Sequence, residues 1–384
     1  MCVALLAATG GRASHSTAAK SGGGEKAQAG KLVMAHVTGW AGVNWAKVGQ
    51  PTISRVAGHR GLGRPLLRLP LRALPLPRGA KVQHHTQHTL ETPPQAAKPA
   101  APSPIVPNDP AWSQQWGLLQ VEAPAAWTLS PGATRPAVVA VIDSGVDPGQ
   151  PDLQGALVGG ADFADSTGST ADQYGHGTMV AGVIAARGNN GQGVAGACWA
   201  CLIMPIKVLD ANGTGTATSI ADGIRWAADH GANVINMSFV LSGPDPDVEA
   251  AIAHAHEQGV IVIAAAGNAG SGEATYPAAY PFVVSVAASD SSDQLYPWST
   301  FGSWVTLAAP GCAVTTTLGG GVASFCGTSA ATPLVAGLAG LAYEAGATSE
   351  AALEAALEQT AKPLPGVVGS GRVDALQLVR RFAL

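Results

Sequence analysis

Residues 234–268 read VINMSFVLSGPDPDVEAAIAHAHEQGVIVIAAAGN and contain a strand, a helix and a second strand in succession. The run VINMS is apolar, and VIVIAAA repeats that character after a helical segment at 247–258. Because neither run alternates apolar with polar residues, we expect both strands to be buried on both faces. Two such strands joined by a helix are typical of a parallel sheet. The segment therefore indicates an α/β fold.

The same alternation extends in both directions, beginning near residue 111. Further strands are predicted at 138–143, 203–209 and 283–287, and further helices at 178–186, 219–230 and 328–345. Strands that alternate with helices predict a doubly wound, mostly parallel sheet with helices on both faces. In such sheets the ligand site lies beyond the carboxyl ends of the strands. Functional side chains are therefore expected directly after strands or at helix starts.

The composition fits a folded chain with a sizeable core. Of the 384 residues, 47% are hydrophobic and 12% are charged, which suits a large buried core rather than a disordered chain. No apolar run reaches the roughly 20 residues that a membrane-spanning helix needs. The composition therefore argues against a transmembrane protein.

Charge divides the chain into two parts. Residues 1–105 carry 13 Lys and Arg against two acids, whereas the rest carries 8 against 23. One interpretation is a basic prosegment that docks on an acidic catalytic body, and the other is a basic, poorly structured leader. The predicted organisation is a leader remnant at 1–30, a prosegment at 31–80 with short strands at 31–58, a Pro- and Ala-rich linker at 81–105, and a catalytic domain at 106–384. His84, His85 and His88 in the linker are a metal-binding or simply a solvated cluster.

The cysteines suggest an oxidising compartment. Cys198, Cys201, Cys312 and Cys326 form two close pairs, and an even count fits disulfides. The lone C-x-x-C is alternatively half of a zinc site, although no second half-site partners it. The apolar start MCVALLAATG is too short for a full signal peptide, so it is either a clipped signal or a segment whose Cys2 carries a lipid anchor. We expect a secreted protein in either case.

Four polar residues occupy the positions where a site is expected. Asp143 ends the run VVAVID, His176 stands between two glycines before TMVAGVIAA, Ser329 opens an apolar helix, and Asn268 ends VIVIAAAGN. Taken singly, each has a structural interpretation, such as a helix N-cap or a turn. Taken together, they offer a nucleophile, a base, an orienting acid and an oxyanion donor. This set predicts amide hydrolysis.

At this point a family resemblance becomes close. The stretches VIDSGVD, YGHGTMVAGVIAA, VINMS, AAAGN and GTSAATPLVAG resemble the active-site blocks of the subtilisin-like serine proteases, in that family's order. The lead-in NDPAWSQQWGLLQVEAPAAW resembles the mature start of thermitase-like members, and GSGRVDALQLV resembles the family's last helix. The similarity covers about residues 106–384, whereas residues 1–105 match no motif of the family.

The resemblance implies specific roles and partners. Ser329 would be the nucleophile, His176 the base, Asp143 its orienter, and Asn268 with the Ser329 N–H the oxyanion hole. Substrates would be extended polypeptides, the prosegment an intramolecular inhibitor, and the enzyme a monomer that binds no nucleic acid and needs no cofactor for its chemistry. Substrate strands would add between two enzyme segments, whose residues would be Gly213, Gly215, Ser238, Phe239, Val240, Ala265, Ala266 and Gly267.

Three details follow from comparison with the family's usual pattern. Val240 stands where the family has glycine, in SFVL instead of SLGG, so a smaller P1 pocket is expected. Ala330 follows the nucleophile where many relatives carry methionine, which predicts resistance to peroxide. Tyr276-Pro277 resembles a peptide that the family holds cis.

A calcium site is also implied. Asp109, Asp152 and the loop 188–194, with Asn190, match the strong site of thermitase-like relatives, and oxygen ligands suit Ca²⁺. The alternative is a polar loop with surface acids.

Cys312 and Cys326 would stiffen the approach to the nucleophile if they are bonded, and Cys198 and Cys201 would close a tight loop.

Three alternative functions can be compared with this sequence. An inactive homologue that binds peptide segments is one alternative, although all four catalytic positions are filled. An α/β-hydrolase esterase would need G-x-S-x-G and the order Ser, acid, His, whereas this chain has G-T-S-A-A and the opposite order. A Rossmann enzyme would need G-x-G-x-x-G directly after a strand, and none of the predicted strands is followed by that motif.

Overall fold

The computed structural model describes residues 103–130, 135–165, 167–365 and 368–383, together with three short strands nearer the N-terminus. The chain divides into two compact units, Met1–Lys98 and Pro99–Leu384. Cys2, His84, His85 and His88 lie outside the described residues, as do most of the leader, prosegment and linker that the sequence predicts.

The first unit contains a small antiparallel sheet. Its strands are β1 (Val3–Leu6), β2 (Leu32–Val37) and β3 (Val82–Gln83), in the order β1-β2-β3. Strand β2 falls within 31–58, where the sequence predicts short strands.

The second unit is built on a seven-stranded parallel sheet. Its strands are β4 (Val138–Asp143), β5 (Ala161–Asp162), β6 (Leu202–Lys207), β7 (Val234–Met237), β8 (Ile261–Ala265), β9 (Val283–Ser289) and β10 (Leu307–Pro310). Their order is β10-β9-β8-β7-β4-β6-β5, and every neighbouring pair is parallel. The order reverses beside β4, which makes its carboxyl end a switch point. The predicted doubly wound sheet is confirmed.

Helices connect the strands and begin at identifiable caps. They are α1 (Trp116–Gln120), α2 (Ala123–Ala126), α3 (His176–Ala185), α4 (Ala217–Asp229), α5 (Pro246–Glu257), α6 (Thr328–Glu344), α7 (Glu350–Thr360) and α8 (Ala375–Arg380). Thr216 and Ser219 form a reciprocal capping box at α4. Asp245 caps α5 by accepting from the Asp247 and Val248 N–H groups. No helix among the described residues is long and apolar enough to span a membrane.

The core lies on both faces of the sheet. Along β4, Val139 and Val141 join the cluster that contains α3 and α6 side chains, whereas Ala140 and Ile142 join the cluster that contains α4 and α5 side chains. Because successive residues of a strand point to opposite faces, both faces of β4 must be apolar. This explains the uninterrupted apolar character of VVAVI.

A hairpin outside the main sheet was not predicted. Strands β11 (Cys312–Thr316) and β12 (Val322–Cys326) pair antiparallel, and Cys312 lies directly opposite Cys326. The structure joins these two cysteines by a disulfide. The hairpin is largely half-buried or exposed, so its sequence lacks the apolar runs that reveal the buried strands.

Candidate active site

Asp143 is the last residue of the central strand β4, and it is 0% exposed. Both of its carboxylate oxygens lie 2.9 Å from His176 Nδ1. Oδ1 also accepts a hydrogen bond of 2.8 Å from the Ser144 N–H. The carboxylate caps no helix, so the N-cap interpretation of this aspartate is wrong in this structure.

His176 is the first residue of α3, two positions earlier than the predicted helix start. Gly175 before it has φ +101°, and a Cβ on Gly177 after it would collide with the Gly145 carbonyl, so both flanking positions require glycine. The ring of Phe325, on β12, lies edge-on to the imidazole with centroids 5.4 Å apart. Gly175 and Gly177 therefore allow the imidazole of His176 to approach the end of β4 closely.

The electrostatics favour a charged His176. Burial alone would lower its pKa, but the charge and hydrogen bond of Asp143 and the charge of Asp172 outweigh it. The pKa of His176 is therefore raised above its ordinary value. Because Nδ1 faces the carboxylate, we assign the ring proton to Nδ1, which leaves Nε2 as the basic atom.

Asp172 is a residue that the sequence reasoning missed. This buried carboxylate accepts hydrogen bonds from Ser144 Oγ, from the N–H groups of Tyr174, Gly175 and Thr178, and from Thr178 Oγ1, at 2.6–3.0 Å. It thereby ties the start of α3 to the loop after β4. An acid four residues before a histidine at a helix start is the only sequence signal for this role, and it is a weak one.

Ser329 is the second residue of α6. Its Oγ donates a hydrogen bond of 2.8 Å to the Ser238 carbonyl, and it makes no hydrogen bond to the His176 ring in this conformer. A rotation about the Cα–Cβ bond is the motion that redirects such a hydroxyl. The sequence did not predict the Ser238 carbonyl as its resting partner.

Asn268 has a fixed orientation beside the start of α6. Its Oδ1 accepts hydrogen bonds from the Thr328 N–H at 2.9 Å and from Thr328 Oγ1 at 3.0 Å. Since the oxygen is engaged, Nδ2 points away from Thr328, and a Cβ on Gly327 would lie 3.4 Å from it. The amide nitrogen is therefore available as a donor near the Ser329 backbone.

The predicted substrate residues border an open groove. A cavity of about 440 Å³ is lined by Gly213, Gly215, Phe239 and Val240, with apolar side chains of Leu209, Ala217, Ile220 and Leu241 among its other residues. A Cβ on Gly213 would lie 2.8 Å from the Tyr174 ring, so the glycine lets this side chain cover the groove edge. Ser238, Ala265, Ala266 and Gly267 lie at or just beyond the carboxyl ends of strands β7 and β8.

The residues predicted to bind calcium meet around one loop. Asp109 and Asp152 are 4% and 2% exposed. Asp109 accepts from the Asn189 and Asn190 N–H groups, and Asp152 accepts from the Val194 N–H and from Asn190 Nδ2. Among the described residues, no Lys or Arg forms an ion pair with either carboxylate. Burial, together with the nearby charge of Asp109, raises the pKa of Asp152.

Both cysteine pairs form disulfides. Cys198 bonds to Cys201, and Cys312 bonds to Cys326. The carboxylate of Glu344 lies 3.4 Å from Cys198 Sγ, and burial raises the pKa of Glu344 to about 7. Sulfur atoms that are bonded to each other in a disulfide are poor zinc ligands, so this cluster does not support the zinc alternative. Tyr276-Pro277 is cis, as expected.

Comparisons with known proteins agree with this arrangement. The family model described as "Subtilase family" matches residues 134–377. Thermitase from Thermoactinomyces vulgaris is 41% identical over 279 residues, which cover 71% of this chain and 99% of that protein. Subtilisin Savinase from Lederbergia lenta is 40% identical over 270 residues, which cover 69% of this chain and 98% of that protein.

A solved structure gives the same result. A protease from Pseudoalteromonas arctica superposes with a TM-score of 0.67 at 30% identity, and the match covers 72% of this chain and 99% of that one. Both the fold and the sequence thus align over nearly the whole length of these relatives. The chain belongs to the subtilase family and is a serine-type endopeptidase.

Proposed function

We propose that this endopeptidase cleaves polypeptides through an acyl-enzyme, with Ser329 as nucleophile, His176 as general base and Asp143 as orienter. The observation that carries the proposal is the contact of His176 Nδ1 with both oxygens of the buried Asp143. Since Nδ1 donates to the carboxylate, Nε2 is free to accept the serine proton. The reaction uses no cofactor.

The proposed first half-reaction begins with rotation of the Ser329 hydroxyl away from the Ser238 carbonyl. Its proton passes to His176 Nε2 while Oγ bonds to the substrate carbonyl carbon. The resulting oxyanion accepts hydrogen bonds from Asn268 Nδ2 and the Ser329 N–H. His176 then returns the proton to the amide nitrogen, the C–N bond breaks, and the amine leaves. Asp143 stabilises the imidazolium throughout.

Water completes the proposed cycle. A water molecule gives a proton to His176 Nε2 as its oxygen attacks the acyl carbon. Collapse of the second tetrahedral intermediate breaks the bond to Ser329 Oγ, and the proton on His176 restores the hydroxyl. The product acid is released.

Active-site labelling tests this proposal. A fluorophosphonate probe should label the wild-type protein at Ser329, and peptide mapping should find no label in the variant Ser329→Ala. Peptidase activity of that variant should fall by about 10⁶-fold. A folded wild-type protein that takes no label and cleaves no peptide would instead be a peptide-binding homologue without catalysis.

We also propose that the enzyme is exported as an inhibited precursor and acts as a monomer. The two disulfides support an oxidising compartment. The basic residues 1–105 and the acidic remainder are complementary in charge, which supports a prosegment that binds the catalytic domain. N-terminal sequencing of protein recovered from culture medium tests export and processing together. A mature start far from residue 106 would contradict the predicted boundary between linker and catalytic domain.

We further propose that Asp109, Asp152 and Asn190 hold a structural Ca²⁺ ion. Two buried carboxylates around one loop repel each other, and a cation relieves that repulsion. Asn190 presently directs Nδ2 at Asp152 and accepts the Gln192 N–H at Oδ1, so its amide would give up both contacts to offer the oxygen to the ion. The ion would stabilise the fold and would take no part in the chemistry.

A further inference from the structure

Two chain segments flank Ser329 at the carboxyl end of the sheet. Strands β7 and β8 are paired, with Met237 opposite Ala264. Beyond this pair the strands continue as the segments 238–241 and 265–268. The first segment supplies the carbonyl that accepts from Ser329 Oγ, and the second ends at Asn268. A substrate acyl group on Ser329 would therefore lie between them.

The substrate residue that supplies the acyl group carries a side chain next to the reacting carbonyl carbon. Its Cα is bonded to the reacting carbonyl, so it stays within one residue of Ser329. We assign this side chain to the space between segments 238–241 and 265–268, because the Ser238 carbonyl accepts from Ser329 Oγ and Asn268 contacts Thr328 beside it. Whatever lies in this gap limits the size of the side chain.

Val240 occupies the gap. A Cβ built on Gly267, across from it, lies 3.4 Å from Val240 Cγ1. Such a Cβ is one bond, about 1.5 Å, from the Gly267 Cα. The Gly267 Cα and Val240 Cγ1, which form the two walls of the gap, are therefore at most about 5 Å apart. A flat ring needs about 3.5 Å to the carbon atoms on each side, about 7 Å in total. The gap is therefore too narrow for an aromatic side chain.

The walls of the gap resist widening. The Leu241 N–H donates to the Tyr276 carbonyl at 2.6 Å, which holds the segment that carries Val240. On the other side, a Cβ on Gly267 would also approach Thr300 Oγ1 at 3.3 Å and Thr275 Cγ2 at 3.5 Å, so that wall is backed by packed residues. The β-branched valine has few χ1 choices. Val240 itself is 50% exposed. Glycine has no side chain and alanine has a single methyl group, so neither residue needs to fill the gap.

We propose that Val240 restricts cleavage to peptide bonds whose carbonyl is supplied by glycine, alanine or another small residue. This inference rests on the proposed function, because it takes Ser329 as the nucleophile. It makes Val240 the residue that determines specificity at this position.

A peptide series tests the inference. The substrates are succinyl-Ala-Ala-Pro-Xaa p-nitroanilides with Xaa as Ala, Leu or Phe, and the measured quantity is the ratio of kcat/KM for Phe to that for Ala. The wild-type ratio should be below one. The variant Val240→Gly should raise it by at least about 10-fold, and Val240→Ala should give an intermediate value.

A matched control separates pocket size from a general effect of glycine. Val322 is 45% exposed and lies on β12, so Val322→Gly should leave the ratio unchanged. A wild-type preference for Phe, or an unchanged ratio in a folded Val240→Gly protein, would overturn the inference while leaving the proposed catalysis intact. If no peptide is cleaved and Ser329 takes no fluorophosphonate label, it is the proposed function that fails.

Discussion

Nδ1 of His176 lies 2.9 Å from both carboxylate oxygens of Asp143, which has no exposed surface. The change Asp143→Asn preserves the shape of the side chain but removes its charge. The amide would also present a donor to Nδ1 and favour the wrong tautomer. We expect kcat to fall by about 10⁴-fold, as measured by initial rates at saturating peptide. A fall of less than about tenfold would show that Asp143 does not orient the base.

The raised pKa of His176 sets the pH dependence. The general base must be neutral, so kcat/KM should rise with pH through a pKa above the ordinary value of 6.5. The pH dependence of folding stability has the opposite sign. Because the pKa of His176 is raised in the folded state, protonation of this ring stabilises the fold below pH 6.5, and the contribution is lost as pH rises through the folded-state pKa. A pH profile whose acidic limb lies below about pH 6 would contradict this prediction.

Asp172 should act as a positioning residue. In the variant Asp172→Asn, the donors at the start of α3 face an amide that accepts hydrogen bonds less well than a carboxylate. Each donor left without an acceptor should lower the free energy of unfolding by about 1–3 kcal/mol. Loss of its charge should also lower the pKa of His176 and move the acidic limb of kcat/KM to lower pH. Urea denaturation measures the first effect and the pH profile measures the second. A loss of stability with an unmoved pH profile would reduce Asp172 to a structural residue.

The disulfide of the β11–β12 hairpin should be the more stabilising of the two. Cys312 and Cys326 are 14 residues apart, whereas Cys198 and Cys201 are three apart. Chain-entropy arithmetic favours the larger loop by about 1.4 kcal/mol. Replacing each pair by alanines should therefore lower the free energy of unfolding more for the hairpin pair, as measured in urea. The hairpin variant should also lose activity, because Phe325 contacts His176.

Removal of calcium should lower thermal stability. EGTA should decrease the Tm, and added Ca²⁺ should restore it in the wild type but not in the variant Asp109→Asn/Asp152→Asn. Differential scanning calorimetry measures the shift, and Mg²⁺ serves as the control cation because it suits this ligand set less well. An identical Tm in EGTA and in excess Ca²⁺ would exclude the site.

Alanine at position 330 should protect the nucleophile from oxidation. The variant Ala330→Met should lose peptidase activity faster than the wild type in dilute peroxide, since a thioether beside Ser329 becomes a polar sulfoxide. Met179, near His176 on α3, is present in both proteins and serves as an internal control by mass spectrometry. Rapid inactivation of the wild type, with Met179 unmodified, would contradict the prediction.

The buried framework could be predicted from sequence because burial leaves a strong pattern. Val139 to Ile142 lie in two apolar clusters on opposite faces of β4, so every position had to be apolar. The resulting apolar run made the strand predictable from the sequence. The ends of such strands and helices then indicated Asp143, His176, Ser329 and Asn268. All four lie at the carboxyl edge of the sheet or at the two helix starts beside it.

Features stabilised by polar contacts were harder to predict. Asp172 has no apolar pattern around it, and its role rests on donors that only the fold brings together. Only three of the ten hairpin residues are buried, and cross-strand pairing and one disulfide hold the two strands together. The bulk of Val240 was evident from sequence, but its distance from Gly267 follows from how two segments diverge after their strands. Backbone paths of this kind leave little trace in composition.

Strand β4 is hydrogen-bonded on both sides, to β6 and to β7, and Asp143 is its final residue. A strand in the middle of a sheet opens only when most of the molecule unfolds, whereas a peripheral hairpin can open by itself. Asp143 should therefore stay in place for as long as any of the domain remains native. Gradual heating should accordingly inactivate the enzyme in two steps. The first is an early, reversible loss of catalytic rate as peripheral elements such as the hairpin open, and the second is a later, abrupt loss that coincides with global unfolding.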